Sequence, residues 1–133
     1  MSKSAAKTQP TKQDVLAFLD KWVDSDQKRQ DSLMLINIME RVSGEKATMW
    51  GPSIIGFGSV ATPTGSWPAI AFSPRKTALT LYVVSNADTY ADEIVALGKV
   101  KVSKACIYIK RLADVDMGRL EALIRAGYGE ATR

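Results

Sequence analysis

Apolar positions recur with a helical period over the first third of the chain and with an extended period over much of the remainder. Val15, Leu16, Leu19, Trp22 and Val23 share one side of a helix, and Thr11 followed three residues later by Asp14 has the form of a capping pair. The spacing predicts a helix over 12–22. A second helix is predicted after Ser25, running to Ser43, with Leu35, Ile38, Met39 and Val42 inward and Gly44 as a left-handed stop. Leu33, Met34 and Ile36 widen its stripe, as expected of a helix touched on two sides. From there the pattern turns extended, predicting strands over 53–60, 68–72 and 78–84, with Pro63, Gly65 and Pro68 marking one turn and Ser73 to Thr77 another. Leu79, Leu81 and Val83 alternate with Thr80 and Tyr82, so one face is core and the other more polar.

Asn86 or Asp88 can cap a short helix carrying Tyr90, Ile94 and Leu97, closed by Gly98. The basic segment Lys99 to Lys104 leads into a strand over 105–109, with Ala105, Ile107 and Ile109 on the core side and Cys106 and Tyr108 opposite. Asp114 or Asp116 starts a last helix with Met117, Leu120, Leu123 and Ile124 inward and Gly127 closing it. The order α-α-β-β-β-α-β-α predicts an α+β fold, a mainly antiparallel four-stranded sheet with helices packed largely on one face. The expected organisation is a polar N-terminal tail over 1–10, one domain over 11–127 and a short C-terminal tail over 128–133.

Composition changes this picture mainly by exclusion. The 133 residues, 46% apolar and 24% charged, suit one globular domain. With no histidine, Ser-His and Cys-His nucleophile pairs and histidine-containing zinc sites are excluded within one chain. A single cysteine, Cys106, excludes an internal disulfide and a Cys-rich metal site. No apolar run approaches the ~20 residues that span a bilayer. The start lacks the apolar centre of a signal peptide, and together these features read as a cytoplasmic protein with no membrane association.

The net charge of +4 is unevenly placed. Residues 1–74 carry eight Lys/Arg against seven Asp/Glu, 75–111 carry seven against three, and 112–133 carry three against four. The excess falls on Arg75, Lys76, Lys99, Lys101, Lys104, Lys110 and Arg111, an anion-facing combination. The Lys99 run does not have phosphate-loop spacing, and it leads into a strand rather than a helix. No cofactor signature is present.

Three blocks stand out: Met49-Trp50-Gly51-Pro52-Ser53-Ile54-Ile55-Gly56-Phe57-Gly58-Ser59; Phe72-Ser73-Pro74-Arg75-Lys76 with the strand through Leu79, Leu81 and Tyr82; and Leu97-Gly98-Lys99 followed by Lys104-Ala105-Cys106-Ile107-Tyr108-Ile109-Lys110. In these blocks, and from about Leu16 to Ile124, the chain resembles the YdhG-like proteins, a bacterial domain family whose biochemical role is largely unassigned. Some of its members are regarded as frataxin-like iron chaperones, so the resemblance implies iron binding as one expectation. The hairpin after Ser59, often aromatic and charged in relatives, is here Val60-Ala61-Thr62-Pro63-Thr64-Gly65.

Gly56 and Gly58 clear one strand face, for close approach of a ligand or for packing of Trp50 or Tyr108. The leading expectation is a non-enzymatic binding module for an anionic small molecule or an acidic protein segment. Its site would be lined by Trp50, Ser53, Phe57, Ser73, Arg75, Lys76, Tyr82, Lys104 and Tyr108. The first alternative is iron handling by acidic helices, with Asp20 and Asp24 as metal ligands among Asp14, Asp26 and Asp31, although Lys12, Lys21, Lys28 and Arg29 interleave with them. The second is an enzyme of unknown reaction, for which no catalytic pairing is recognisable. The small, modestly aromatic patch argues against nucleic acid. The sheet face bearing Thr80, Tyr82, Cys106 and Tyr108 suits a homodimer contact as well as a ligand.

Overall fold

The computed structural model describes residues 14–133, so the polar tail and the Thr11 cap lie outside the described residues. Helix α1 (Val15–Trp22) starts on Asp14, whose carboxylate accepts the Ala17 N–H at 3.0 Å. Helix α2 (Asp26–Ser43) starts on Ser25 and stops at Gly44, whose φ of 71° and N–H bond to the Glu40 carbonyl end it as expected of a left-handed stop. Strands β1 (Thr48–Trp50) and β2 (Ile54–Phe57) follow, then β3 (Val60–Thr62), β4 (Gly65–Trp67), β5 (Ile70–Pro74) and β6 (Leu79–Tyr82). Asn86 caps a 3₁₀ turn, Ala87–Tyr90, that runs into the short helix α3 (Ala91–Val95). Strands β7 (Lys101–Ser103) and β8 (Cys106–Ile109), a 3₁₀ turn at Leu112–Asp114 and helix α4 (Met117–Ala131) complete the chain. Asp116 caps α4 by accepting the Arg119 N–H at 3.0 Å.

The fold is α+β, with four helices, a six-stranded antiparallel sheet ordered β1-β2-β5-β6-β8-β7, and the separate hairpin β3-β4 among the described residues. The expected sheet had four strands, and the two edge strands correct it. β1 lies directly before Gly51-Pro52, which reads locally only as a breaker, and β7 is the triplet Lys101-Val102-Ser103, where the alternation of Val100 and Val102 with Lys101 and Ser103 is too short to set a period. Each exists because a neighbouring strand supplies its hydrogen bonds, which no local period announces. The last helix is corrected as well, since it passes through Gly127 and continues to Ala131. Gly127 instead lets α4 sit against the backbone carbonyl of Val83, where a Cβ would clash.

Register gives the sheet two different faces. Met49, Ile55, Phe72, Leu81 and Ile107 lie opposite one another across five strands, and all five are fully buried. They form one core with Phe18 and Leu19 of α1, Leu35 and Met39 of α2, Ile94 of α3 and Leu120, Leu123 and Ile124 of α4. The alternate positions make two rows on the other face. One row is Thr48, Gly56, Ala71 and Tyr82; the other is Ser73, Thr80, Tyr108 and Lys101. The inward placement of Ile107 and Ile109, with Cys106 and Tyr108 only half-buried opposite them, agrees with the alternation read from the chain.

Candidate functional site

The glycine notch on the outer face is filled from within. An added Cβ at Gly56 would stand 2.5 Å from Trp50 Cδ1, 2.8 Å from its Nε1 and 2.7 Å from Pro68 Cβ. The indole therefore lies over the glycine, and Trp50 is only 2% exposed. Of the two readings of the glycine spacing, packing of Trp50 is the one found. Phe57 points to the helix-covered core and is fully buried, so it lines no open surface. Ser73 is also buried, and its hydroxyl donates to the Ser53 carbonyl at 2.6 Å, tying β5 to the loop before β2. Trp50, Phe57 and Ser73 thus hold the fold, and the binding wall expected of them is corrected.

The Pro74-Arg75-Lys76 turn is gripped from behind. Trp22 Nε1–H donates to the Pro74 carbonyl at 3.0 Å, and Lys28 Nζ donates to the Lys76 carbonyl at 2.9 Å. With its backbone carbonyls engaged by the helices, the turn leaves the Arg75 and Lys76 side chains exposed. Arg75 Nη2 lies 3.5 Å from the Tyr82 hydroxyl. Tyr82 stands opposite Ala71 and Arg75 follows Pro74, so the two side chains approach along the outer face over roughly 13 Å of strand.

Lys104 is elsewhere. It lies in the two-residue turn joining β7 to β8, beyond the Ser103–Cys106 pair, whereas the Arg75 turn is at the Leu79–Ile109 end. The whole length of β8 separates them, so Lys104 and Arg75 share no pocket. Its φ of 49° is the left-handed conformation, and its carbonyl accepts the Ala87 N–H at 2.7 Å.

A cleft of about 420 Å³ opens at the Arg75 end of the sheet. It lies between Thr77 and Ala78 at the approach to β6, Lys99, Val100 and Lys101 at β7, and Tyr108 and Lys110 at β8, with Asp114 from the 3₁₀ turn. A backbone clasp sets its shape. Gly98 pairs with Val115, the Asp116 N–H donates to the Leu97 carbonyl at 2.8 Å, and the Lys99 N–H donates to the Asp114 carbonyl at 3.3 Å. Gly98 has φ 123°, and a Cβ there would stand 2.6 Å from the Asp114 carbonyl oxygen, which accounts for glycine in the Leu97-Gly98-Lys99 block.

The cleft is cationic. Among the described residues, Arg75, Lys76, Lys99, Lys101, Lys104 and Lys110 make no ion pair, while Asp114 is already paired with Arg111 at 3.2 Å. Three lysines and the Tyr108 ring therefore face a hollow whose single acid has its own partner. Arg75, Lys76, Lys99, Lys101 and Lys110 all belong to the charge excess read from the chain. The specific grouping of Lys101 with Tyr108 required β7, since those residues are cross-strand partners.

The acidic helices are occupied otherwise. Asp20 pairs with Arg29 at 2.9 Å and Asp24 with Lys28 at 3.5 Å, while buried Asp31 accepts the Leu112 N–H at 3.1 Å and Gln27 Nε2–H at 2.9 Å. No three acidic or cysteine side chains converge among the described residues. Among the described residues, no helix is long and apolar enough to cross a membrane. Comparisons with protein-family models, curated proteins and solved structures gave no match.

Proposed function

We propose that the chain is a cytoplasmic YdhG-like binding module, not an enzyme, that holds an anionic small molecule or an acidic protein segment in the cleft beside Tyr108. The observation that carries this reading is the set of ammonium groups of Lys99, Lys101 and Lys110, unpaired among the described residues, around one concave site. A carboxylate or phosphate entering there meets positive charge not already neutralised by those residues, and its apolar part meets Val100, Ala78 and the Tyr108 ring. Arg75 and Lys76, on a turn at the same end of the sheet, extend the positive field toward an approaching anion. The three sequence blocks support the family reading. Iron handling by Asp20 and Asp24 has less support, since each carboxylate is exposed and paired with a cation.

Titration with citrate, inorganic phosphate and a glutamate-rich peptide, followed by calorimetry at low salt, tests the site. Lys101→Ala with Lys110→Ala should weaken binding about tenfold, in line with loss of two partly exposed charge contacts worth about 0.5–1 kcal/mol each. Lys104→Ala, at the far end of β8 and outside the cleft lining, should leave citrate and phosphate binding unchanged. Equal binding by wild type and the double variant would refute the assignment.

A further inference from the structure

The two edges of the sheet differ. At one edge, Met49 and Trp50 of β1 are buried. At the other, each of the three residues of β7 is exposed, and β8 is its only strand partner among the described residues. The two-residue turn makes Ser103 and Cys106 a hydrogen-bonded pair, and bonded and non-bonded pairs alternate along an antiparallel ladder. Lys101 with Tyr108 is then bonded and Val102 with Ile107 is not, which directs the Val102 N–H and C=O away from β8. Outside the sheet, no backbone group among the described residues bonds to Val102. Both ends of the strand are held, by the Ala87 N–H on the Lys104 carbonyl at 2.7 Å and by the Lys99 N–H on the Asp114 carbonyl at 3.3 Å. β7 is a short, fixed edge with one outward backbone pair.

Its side chains specify an occupant. Lys101 is on the face of Tyr108, while Val102 is on the opposite face and is 49% exposed. Lys99 and Lys104 flank the strand without ion-pair partners among the described residues. A second copy of β7, paired antiparallel through Val102, would set Lys101 against Ser103 and bring a second set of Lys99, Lys101 and Lys104 to an edge that already carries three lysines, which is unfavourable. A strand that alternates acidic and apolar residues meets opposite charge on one face and exposed valine on the other.

We infer that β7 accepts an acidic, extended protein segment as an added antiparallel strand, with carboxylates toward Lys101 and alternate apolar side chains toward Val102. This rests on the anionic-ligand reading of the cleft and commits that site to a protein partner. Because β7 offers a single outward backbone pair, charge contributes much of the attraction, and affinity falls as salt screens it.

The probe is an acetylated, amidated hexapeptide of alternating glutamate and valine, titrated into the full chain beside citrate. Two comparison peptides are the same residues with the glutamates grouped at one end, and the alternating peptide N-methylated on the backbone edge that would face β7. The alternating peptide should bind at least tenfold more tightly than either. Val102→Pro, which removes the outward N–H from an edge strand where proline is tolerated, should weaken it about as much while citrate binding stays unchanged. Equal affinity for the alternating and N-methylated peptides overturns the added strand without depending on any variant's folding. Citrate bound with no preference among the peptides overturns the inference alone. Neither citrate nor peptide bound overturns the cleft reading and the inference with it.

Discussion

Replacing Gly127 by alanine tests how α4 is seated on the sheet, because two effects of opposite sign meet there. Inside a helix the change ordinarily stabilises by about 0.5–1 kcal/mol. At Gly127, however, the new Cβ would stand 1.6 Å from the Val83 carbonyl oxygen and 2.8 Å from its carbon. A comfortable carbon–oxygen approach is about 3.3 Å, so the helix must withdraw by roughly 1.5 Å. The same helix buries Leu120, Leu123 and Ile124, each worth about 2 kcal/mol of burial, or about 6 kcal/mol together. If neighbouring side chains follow part of that withdrawal, a residual gap of about 0.5–1 Å forfeits a quarter to a half of the contact energy, here about 1.5–3 kcal/mol. After the helix-propensity gain, the expected net loss is about 0.5–2.5 kcal/mol. Gly129, two residues on in the same helix, is the internal control, because nothing lies within 4 Å of its Cβ. In urea unfolding with unchanged slope, Gly129→Ala should move the midpoint up and Gly127→Ala should move it down. If both substitutions raise the midpoint alike, the docking of α4 on the Val83 carbonyl is refuted.

Gly56→Ala forces a methyl into Trp50 and Pro68, and overpacking of this kind costs about 1–3 kcal/mol. The urea midpoint should fall and the tryptophan emission should shift to the red; an unchanged spectrum and midpoint would show that the indole does not fill the notch. Asp31→Ala leaves the Leu112 N–H without its acceptor at a buried site, with an expected cost of about 1–3 kcal/mol, and Asp31→Asn should recover part of it. Hydrogen exchange at the Leu112 amide reads this directly, and protection retained in the alanine variant would count against the bond. Hydrogen bonds from Arg41, then from Arg125, hold the Glu121 carboxyl below its ordinary range. A carboxylate lowered in this way contributes stability above its unfolded-state pKa and loses it as pH falls through the folded value. Carboxyl NMR titration of Arg41→Ala should therefore show Glu121 titrating at higher pH than in wild type, with a smaller loss of stability on acidification. An unmoved midpoint would remove Arg41 as the cause.

Much of the helical part of the fold was legible from single residues. Ser25 and Gly44 bracket α2, and Asn86 and Asp116, each one of two candidate caps in the sequence, start the turn before α3 and α4, because capping needs only atoms a few residues away. The alternation in β6 and β8 likewise identified which side chains face the core. The candidate site was legible only as an inventory of charges. Arg75, Lys101, Lys104 and Lys110 look equivalent along the chain, and the spatial grouping of Lys101 with Lys110, and of neither with Lys104, depends on where the β7–β8 turn falls.

The limits of α2, the alternation in β6 and β8 and the basic excess between residues 75 and 111 were thus determined by the amino-acid order alone, through short-range hydrogen bonds and side-chain period. Tertiary structure decided the six-strand order, the filling of the Gly56 notch by Trp50, the passage of α4 across Val83 and the convergence of lysines on Tyr108. Each of those is a contact between segments far apart in the chain. A strand's register or a glycine's neighbour has no local signal, since the partner that gives it meaning is brought there only by folding.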